Sequence, residues 1–295
     1  MLSLVQNAID LPPLPSRVTD THKGEQGTVL VIAGSRPYPG AAALCALGAA
    51  RMGAGYVRLA VPDAIVDEVL PVVPSAVIAR LPHDRGVVTP AAADVLAESL
   101  SGADAVVAGP GLSTGAGPGA VIAALLTAVR VPLVLDADAL NALVAGAPDT
   151  TDMLCDREAP TVLTPHPGEF ARLTGWTAPR TADERVDQAM ELARRVSAIV
   201  VLKGAGSVTT DGDRVHVERA GNPGMAKAGM GDVLAGALAS LTARLDDPTG
   251  AAALAVHLHA VAGDLATADL GAEAVLPTDV AERLGRAARG DRAPD

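Results

Sequence analysis

The chain has 295 residues and a formal net charge of −11, from 23 lysines and arginines against 34 aspartates and glutamates. A chain of this length can bury the core of one large domain or two ordinary domains. Binders of nucleic acids or anionic membranes carry excess basic charge, so the acidic balance argues against both classes. Hydrophobic residues make up 49% and charged residues 19%, which excludes a disordered chain. Two cysteines cannot form a disulfide framework and fit a reducing cytosol.

Short β-branched segments alternate with alanine-rich segments along most of the chain. The predicted strands are nearly continuous apolar runs, as expected of strands buried on both faces of a parallel sheet: Thr28–Ala33, Tyr56–Val61, Ala105–Ala108, Leu133–Asp136, Thr161–Thr164 and Ile199–Leu202. The helices predicted between them are Ala41–Met52, Pro90–Leu100, Gly119–Val129, Glu169–Leu173 and Ala182–Val196.

The last third of the chain follows a different pattern. Ser207–Thr210 and Val215–Glu218 flank Asp211-Gly212, which predicts a β-hairpin. From Asp232 onward the sequence predicts three helices. The whole pattern predicts an α/β sandwich with a mostly parallel sheet and an antiparallel edge. We find no linker with a shift in composition, so we predict a single domain over residues 21–290 after an N-terminal extension of residues 1–20.

Five of the predicted strands end in glycine or polar residues. These endings are Ala33-Gly34-Ser35, Gly109-Pro110-Gly111, Asp136-Ala137-Asp138, Thr164-Pro165-His166 and Lys203-Gly204-Ala205-Gly206. Ligands of open α/β sheets bind outside the carboxyl ends of the strands, so the endings predict one composite site. Strand alternation predicts that Asp136 and Asp138 point to opposite faces, so that at most one faces the site and the other anchors a loop.

A glycine-rich run, GNPGMAKAGMGDVLAG at residues 221–236, leads into a predicted helix. Backbone amides at such a helix start, here those of Gly229, Met230 and Gly231, can form an anion hole for a phosphate. Asp232 in the first turn is then either a general base beside the phosphate or an N-terminal cap. The sequence has no Gly-Lys dipeptide and no GxGxxG after a strand, which argues against P-loop and Rossmann proteins.

The AGMGD string resembles the GxGD signature of the ribokinase-like superfamily, and the longer run resembles the ADP-dependent (S)-NAD(P)H-hydrate dehydratases. Further motifs typical of that family precede this run, in the family's order, over most of the chain: HKGEQGTVLVIAGS, YPGAA, RMGAGY, GPGL, DADAL, TPHPGE and KGAGS. The resemblance implies a ribokinase-like three-layer α/β/α sandwich with a mostly parallel central sheet and an antiparallel edge. It also implies a hydro-lyase that uses ADP to restore NADH or NADPH from the hydrated form, releasing AMP and phosphate.

The resemblance implies site residues when it is carried over position by position. The residues that would contact the hydrated nucleotide are Ala41, Gly111, His166 and Asp232. The residues that would hold ADP are Lys203, Gly204, Ala205, Gly206, Ser207 and Gly231. Magnesium is expected with ADP, held by phosphate oxygens and water, with no metal ion bound by side chains.

The resemblance also implies partners. A separate epimerase would supply the S epimer, and a homo-oligomer, a tetramer, is expected.

The chain departs from the family pattern at three positions. The usual family string ATGGSGD has Lys227, Ala228 and Met230 at its second, third and fifth positions here. Lys227 is either a cation near the phosphates or a solvated side chain.

Two other functions stay open from the sequence. A ribokinase-like kinase of thiazole or hydroxymethylpyrimidine alcohols shares the GxGD machinery, and only TPHPGE, KGAGS and YPGAA argue against it. A kinase leaves a stable phosphorylated product, whereas the dehydratase leaves AMP, phosphate and a restored nicotinamide. A non-catalytic nucleotide-binding module is the other alternative, and the presence of Asp232 argues against it.

Overall fold

A mostly parallel sheet forms the centre of the protein in the computed structural model, which describes residues 7–145 and 150–293. Its strands are β1 (Thr28–Ile32), β2 (Tyr56–Pro62), β3 (Val77–Leu81), β6 (Ala105–Ala108), β7 (Leu133–Leu135), β8 (Thr161–Leu163), β9 (Ile199–Leu202), β10 (Val208–Thr210) and β11 (Val215–Val217). They lie in the order β11-β10-β9-β8-β7-β6-β1-β2-β3. A separate hairpin pairs β4 (His83–Asp84) with β5 (Val87–Val88).

The sheet is parallel from β3 to β9 and antiparallel at the edge formed by β10 and β11. Successive residues of a strand belong to different cores: Val29 and Val31 of β1 face one core, while Leu30 and Ile32 face the other. This alternation explains the continuous apolar runs, because both faces of each central strand are buried.

Helices cover both faces of the sheet, which gives three layers. One layer contains α1 (Pro39–Arg51), α2 (Val66–Val69), α9 (Met230–Thr242), α10 (Pro248–Leu270) and α11 (Pro277–Ala288). The other contains α3 (Ala92–Ser99), α4 (Ala116–Ala128), α5 (Asp138–Ala145), α6 (Thr150–Cys155), α7 (Pro167–Thr174) and α8 (Ala182–Val196). The predicted three-layer α/β/α architecture, its hairpin edge and its three C-terminal helices are confirmed.

The sequence reading missed β3 and the short hairpin, and it missed the helices α2, α5 and α6. The edge strand β3 reads VIARL and is only partly buried, so it lacks the continuous apolar run that marked the central strands. Helix α5 begins at Asp138, three residues after β7 ends, where the sequence predicted a polar strand ending.

Two further segments pack closely on the core. Helix α10 is long and apolar enough to cross a membrane by length and composition alone, but 78% of its apolar stretch is buried within the fold, as in a core helix. Near the N-terminus, Ile9 is buried and its amide donates to the carbonyl of Val215, so part of the predicted extension lies against the sheet edge.

Helices α1 and α9 cross in backbone contact because each has a glycine at the crossing. A Cβ atom added to Gly48 would lie 2.2 Å from the carbonyl oxygen of Val233. A Cβ atom added to Gly236 would lie 1.8 Å from the carbonyl oxygen of Cys45. Any other residue at either position would force the two helices apart.

We therefore expect Gly236→Ala to lower the free energy of unfolding by about 3 kcal/mol, because overpacking at a backbone contact cannot be relieved by a side-chain rotation. Urea denaturation measures this loss. Gly285→Ala on α11 is the matched control, since no heavy atom lies within 4 Å of the added methyl. It should raise stability by about 0.5–1 kcal/mol through helix propensity. Equal effects at the two positions would contradict the backbone contact.

Candidate functional site

The five polar strand endings meet at one edge of the sheet. Strands β9, β8, β7, β6 and β1 are consecutive neighbours and parallel, so their carboxyl ends lie side by side. The Gly34 amide donates to the Pro110 carbonyl at 2.8 Å, and the Ser35 hydroxyl donates to the Gly111 carbonyl at 2.7 Å. The Lys203 amide donates to the Pro165 carbonyl at 2.9 Å. The endings thus form one continuous surface.

Helix α9 begins at this edge without a side-chain cap. Its N-cap is Gly229, in the left-handed region with φ of +94°, and Met230 and Gly231 are the first helical residues. This backbone conformation favours glycine, and a Cβ atom on Gly229 would also lie 2.6 Å from Cδ1 of Leu44 on α1. Asp232 is the third helical residue and is not the N-cap. The first amides of a helix have no acceptor within the helix and can bind an anion. The Met230 amide makes a long contact of 3.4 Å with the Lys227 carbonyl, which it would exchange for the anion.

The loop before α9 is held by side chains of α10. The Asp264 carboxylate accepts from the Gly221 amide at 3.0 Å and from Nδ2 of Asn222 at 2.8 Å. Oδ1 of Asn222 in turn accepts from the Thr267 hydroxyl at 2.8 Å and caps a short 3-10 turn, Pro223–Met225. The approach to the helix start is therefore fixed before any ligand binds.

The ammonium group of Lys227 binds two backbone carbonyls. Its Nζ donates to the carbonyl of Glu273 at 2.6 Å and to the carbonyl of Val275 at 2.7 Å. The ammonium thus ties the glycine-rich loop to the segment between α10 and α11. The residue is half-buried, and a contact of Lys227 with phosphate groups stays a prediction.

Asp232 lies in an unusual electrostatic environment. Burial is the largest cause that raises the pKa of Asp232, to about 7, and the neighbouring Asp136 carboxylate raises it further. Lys203 acts in the opposite direction, and Asp138 and Glu169 add smaller increases. A carboxyl group with a pKa near neutrality is suited to accept a proton from an alcohol.

A buried network lies next to Asp232. Nζ of Lys203 lies 2.6 Å from Oδ1 of Asp136 and 3.9 Å from Oε2 of Glu169. The Thr164 hydroxyl donates to the same Asp136 oxygen at 2.6 Å. A Cβ atom on Gly231 would lie 3.2 Å from Nζ of Lys203, so the lysine points at the start of α9. Carboxylate neighbours outweigh burial, and the pKa of Lys203 is raised.

His166 forms the N-cap of α7. Its Nδ1 accepts from the amides of Gly168 and Glu169 at 3.0 and 3.2 Å, while Oε2 of Glu169 accepts from the His166 amide at 2.8 Å. Because Nδ1 accepts, the ring proton of neutral His166 is on Nε2, which lies 3.4 Å from Oε1 of Glu169. About half of the side chain is exposed at the site. Its contact with substrate stays a prediction.

The KGAGS loop after β9 is exposed at Gly204, Ala205 and Gly206. The Ser207 hydroxyl closes it by donating to the Gly204 carbonyl at 2.9 Å and accepting from the Gly204 amide at 3.2 Å. From α8, Nη2 of Arg185 donates to the carbonyls of Leu202 and Lys203, both at 3.1 Å. The loop therefore has a fixed shape with its backbone open to solvent, while the Lys203 side chain points into the site.

Ala41 and Gly111 meet at the other side of the site. Ala41 is the third residue of α1, and a Cβ atom on Gly111 would lie 2.7 Å from the Ala41 methyl and 2.8 Å from Cβ of Tyr38. Gly111 has a φ of +60°, so glycine relieves both the backbone strain and the contact. The structure brings these two predicted substrate residues together.

The expectation for Asp136 and Asp138 rested on strand alternation, and that reason is wrong. Strand β7 ends at Leu135, and Asp138 is the first residue of α5, so the period of two does not apply. Asp138 does anchor a loop, because its Oδ2 accepts from the Ser113 amide at 2.8 Å. Both carboxylates nevertheless raise the pKa of Asp232.

Three histidines and two carboxylates lie on or near α10. Oε2 of Glu218 lies 3.1 Å from Nδ1 of His257 and 3.2 Å from Nε2 of His216. His259 is buried, and Asp264 binds the loop before α9. Within residues 7–145 and 150–293, no three His, Cys, Asp or Glu side chains are grouped to hold a metal ion.

Comparison with known proteins places the chain in a family. A family model described as NAD(P)H-hydrate dehydratase matches residues 29–286. The chain belongs to this family. An ADP-dependent (S)-NAD(P)H-hydrate dehydratase of Bacillus subtilis is 35% identical over 275 residues, which cover 92% of this chain and 93% of that protein.

Longer relatives and solved structures agree with this assignment. A bifunctional NAD(P)H-hydrate repair enzyme of Moorella thermoacetica is 41% identical over 273 residues, and the chain spans about half the length of this relative, 51%. A Bacillus subtilis ADP/ATP-dependent NAD(P)H-hydrate dehydratase, co-crystallised with ATP and Mg²⁺, has a TM-score of 0.80 at 31% identity, covering 94% of both chains. An Enterococcus faecalis ribokinase-like protein, 24% identical, has a TM-score of 0.78, which confirms the ribokinase-like fold.

The position of Lys227 leads to a prediction. Lys227→Met should lower the free energy of unfolding by about 1–2 kcal/mol, because two charge-assisted hydrogen bonds to carbonyl groups are lost. Differential scanning calorimetry measures this loss. Lys23→Met, which removes an ammonium lying 4.8 Å from the centre of the Tyr56 ring, is the control away from this loop and should lose less stability. An equal loss in the two variants would contradict the role of the two carbonyl contacts.

Proposed function

We propose that this protein is an ADP-dependent dehydratase of the S epimer of hydrated NADH and NADPH. The observation that carries the proposal is the placement of Asp232, a carboxyl group with a pKa raised by burial to about 7, in the first turn of an uncapped helix. That arrangement pairs a phosphate-binding helix start with a base for an alcohol. Family membership supports the substrate class and the nucleotide.

The proposed reaction activates a poor leaving group. Asp232 accepts the proton of the C6 hydroxyl while the hydroxyl oxygen attacks the terminal phosphorus of ADP. The bond from that phosphorus to the AMP oxygen breaks, and AMP leaves. The lone pair of the ring nitrogen then expels phosphate from C6, and loss of a proton from C5 restores the C5–C6 double bond. The products are the reduced dinucleotide, AMP and phosphate.

The chain's own residues would divide this work around the start of α9. The amides of Gly229, Met230 and Gly231 would stabilise the charge on the transferring phosphoryl group. Asp232 and His166, with Ala41 and Gly111 across the site, would contact the hydrated nucleotide. Lys203 and the loop Gly204, Ala205, Gly206 and Ser207 would hold the adenine nucleotide.

Magnesium enters this proposal only as a partner of the nucleotide. Within the described residues no three carboxylate, histidine or cysteine side chains are grouped to hold a metal ion, and we propose that phosphate oxygens and water hold Mg²⁺. Bound to ADP, Mg²⁺ would supply positive charge to the phosphate oxygens. The proposal also includes a separate epimerase that supplies the S epimer, a cytosolic location and a homotetramer.

The deciding experiment incubates the protein with chemically hydrated NADH, Mg²⁺ and either ADP or ATP. The near-ultraviolet absorbance of the reduced nicotinamide should return with ADP, together with equal amounts of AMP and phosphate. A ribokinase-like kinase would instead accumulate a phosphorylated product without restoring that absorbance. Tight ADP binding without any turnover would favour a binding module.

Asp232→Asn should lower kcat by at least about 10²-fold, the low end of the contribution of a general base. The Asp232→Asn variant should be no less stable than the unchanged protein at pH 8. Folding raises the pKa of Asp232 to about 7, so ionisation of this group costs stability as the pH rises through 7, and asparagine removes the charge. Thermal melting at pH 8 is the control for folding. Retained turnover in a well-folded variant would remove Asp232 from the mechanism.

The rate should depend on pH in one direction on the acid side. Asp232 must be ionised to accept a proton, so kcat/KM should fall tenfold per pH unit below about 7, the raised pKa of Asp232, and level off above it. Initial rates between pH 5 and 8.5 with ADP at saturation measure this limb. A rate that stays level down to pH 5, as expected if the base were an ordinary aspartate, would contradict the role of burial.

A further inference from the structure

Asp136 and Lys203 form an ion pair between the ends of β7 and β9. Nζ of Lys203 and the Thr164 hydroxyl, which follows the intervening strand β8, both lie 2.6 Å from Oδ1 of Asp136. The Asp136 side chain is 2% exposed and the Lys203 side chain 17%. Both charges are buried, so moving them apart would leave an uncompensated charge in the interior. The Thr164 hydroxyl also binds the Asp136 oxygen, and the pair is therefore held in one arrangement.

This pair faces the start of α9. A Cβ atom on Gly231 would lie 3.2 Å from Nζ of Lys203 and 3.8 Å from Oδ2 of Asp136. Oδ1 of Asp136 is thus occupied by Lys203 and Thr164, while Oδ2 is the oxygen nearer to the helix. Asp232 is the next residue along α9, and its pKa is raised by the Asp136 charge and lowered by the Lys203 charge.

We infer that Asp136 is a positioning residue for the reaction: it holds the Lys203 ammonium against the start of α9, and the two side chains form a balanced charge pair beside the base. The inference rests on the proposed function and adds a role that the sequence did not assign to Asp136. Its consequence is that each half of the pair shifts the proton affinity of Asp232 in its own direction.

The other titratable groups around Asp232 should not obscure this shift in its pKa. Asp138 on α5 and Glu169 on α7 each accept a hydrogen bond from a backbone amide, so both are anchored in place. Burial raises the pKa of the Cys45 thiol on α1 well above its usual value, so it stays neutral. Burial lowers the pKa of His259 on α10 to about 4, so it is neutral as well. The acid limb is assigned to Asp232 by comparison with Asp232→Asn, in which it should be absent.

The test removes each charge separately and then both. Asp136→Asn takes away a neighbouring negative charge, so the acid limb of kcat/KM should move to lower pH by about one unit. Lys203→Met takes away a positive charge, so the limb should move to higher pH by about one unit. The double variant has no charge pair and should return to within about 0.3 units of the unchanged protein, with kcat lowered at least about tenfold.

A second measurement does not depend on turnover. In protein labelled with ¹³C at the aspartate carboxyl carbons, the Asp232 resonance is the one lost in Asp232→Asn. Its titration midpoint should move down in Asp136→Asn and up in Lys203→Met. Failure of the unchanged protein to restore hydrated NADH would remove the proposed function, whereas the titration midpoints would still test the pair.

The controls separate charge from packing. Asp247→Asn neutralises the partner of Arg214, where the β10–β11 turn meets the start of α10 at the opposite edge of the sheet, and should leave the limb unchanged. Thr164→Val removes a hydrogen bond to Asp136 without changing a charge and should move the limb by less than either charge variant. If a single variant does not fold, the double variant leaves no buried charge unpaired and still tests the pair. Shifts in the same direction for both single variants, or a double variant as displaced as either one, would overturn the inference.

Discussion

The site depends on the contact between α1 and α9, which exists because glycines let the two backbones touch. Gly48 and Gly236 allow a separation at which a methyl group would overlap a carbonyl oxygen. Once α9 is fixed against α1, the start of α9 lies beside Leu44, and Asp232 acts electrostatically on the buried Cys45. The same helix α1 reaches Gly111 with its first turn. One helix thus positions both the phosphate-binding end and the opposite wall of the site.

The charge at this site is unusual for a protein that binds anions. Asp136, Asp138, Glu169 and Asp232 contribute negative charge, and Lys203 is the cation among the groups that act on Asp232. Phosphate groups would be repelled without the helix start and the magnesium that accompanies nucleotides. The same crowding gives Asp232 a pKa suited to a base near neutral pH. The fold therefore tolerates destabilising charge where the chemistry needs it.

Much of the fold could be predicted because its central strands are buried on both faces and carry continuous apolar runs. The edge strand β3 was not predicted because one face is exposed, and α5 was not predicted because it starts directly after a strand ending. The common edge of the five polar endings followed from parallel pairing. The contact of Lys203 with Asp136 could not be predicted, because residues 67 positions apart meet only through the strand order β9-β8-β7. Likewise, the sequence showed the charge of Lys227 but not the two carbonyls that it binds.

The same machinery serves both a kinase and the proposed dehydratase, and this explains where the two differ. An uncapped helix start with a neighbouring carboxylate can transfer a phosphoryl group to any alcohol held in line. For a stable alcohol the phosphate ester is the product. When the oxygen is on a carbon next to an electron-rich ring nitrogen, the nitrogen lone pair can expel the phosphate, and loss of a proton then gives the double bond. On the proposed function, the difference lies in the residues predicted to contact the alcohol, Ala41, Gly111 and His166, and not in the helix that carries Asp232.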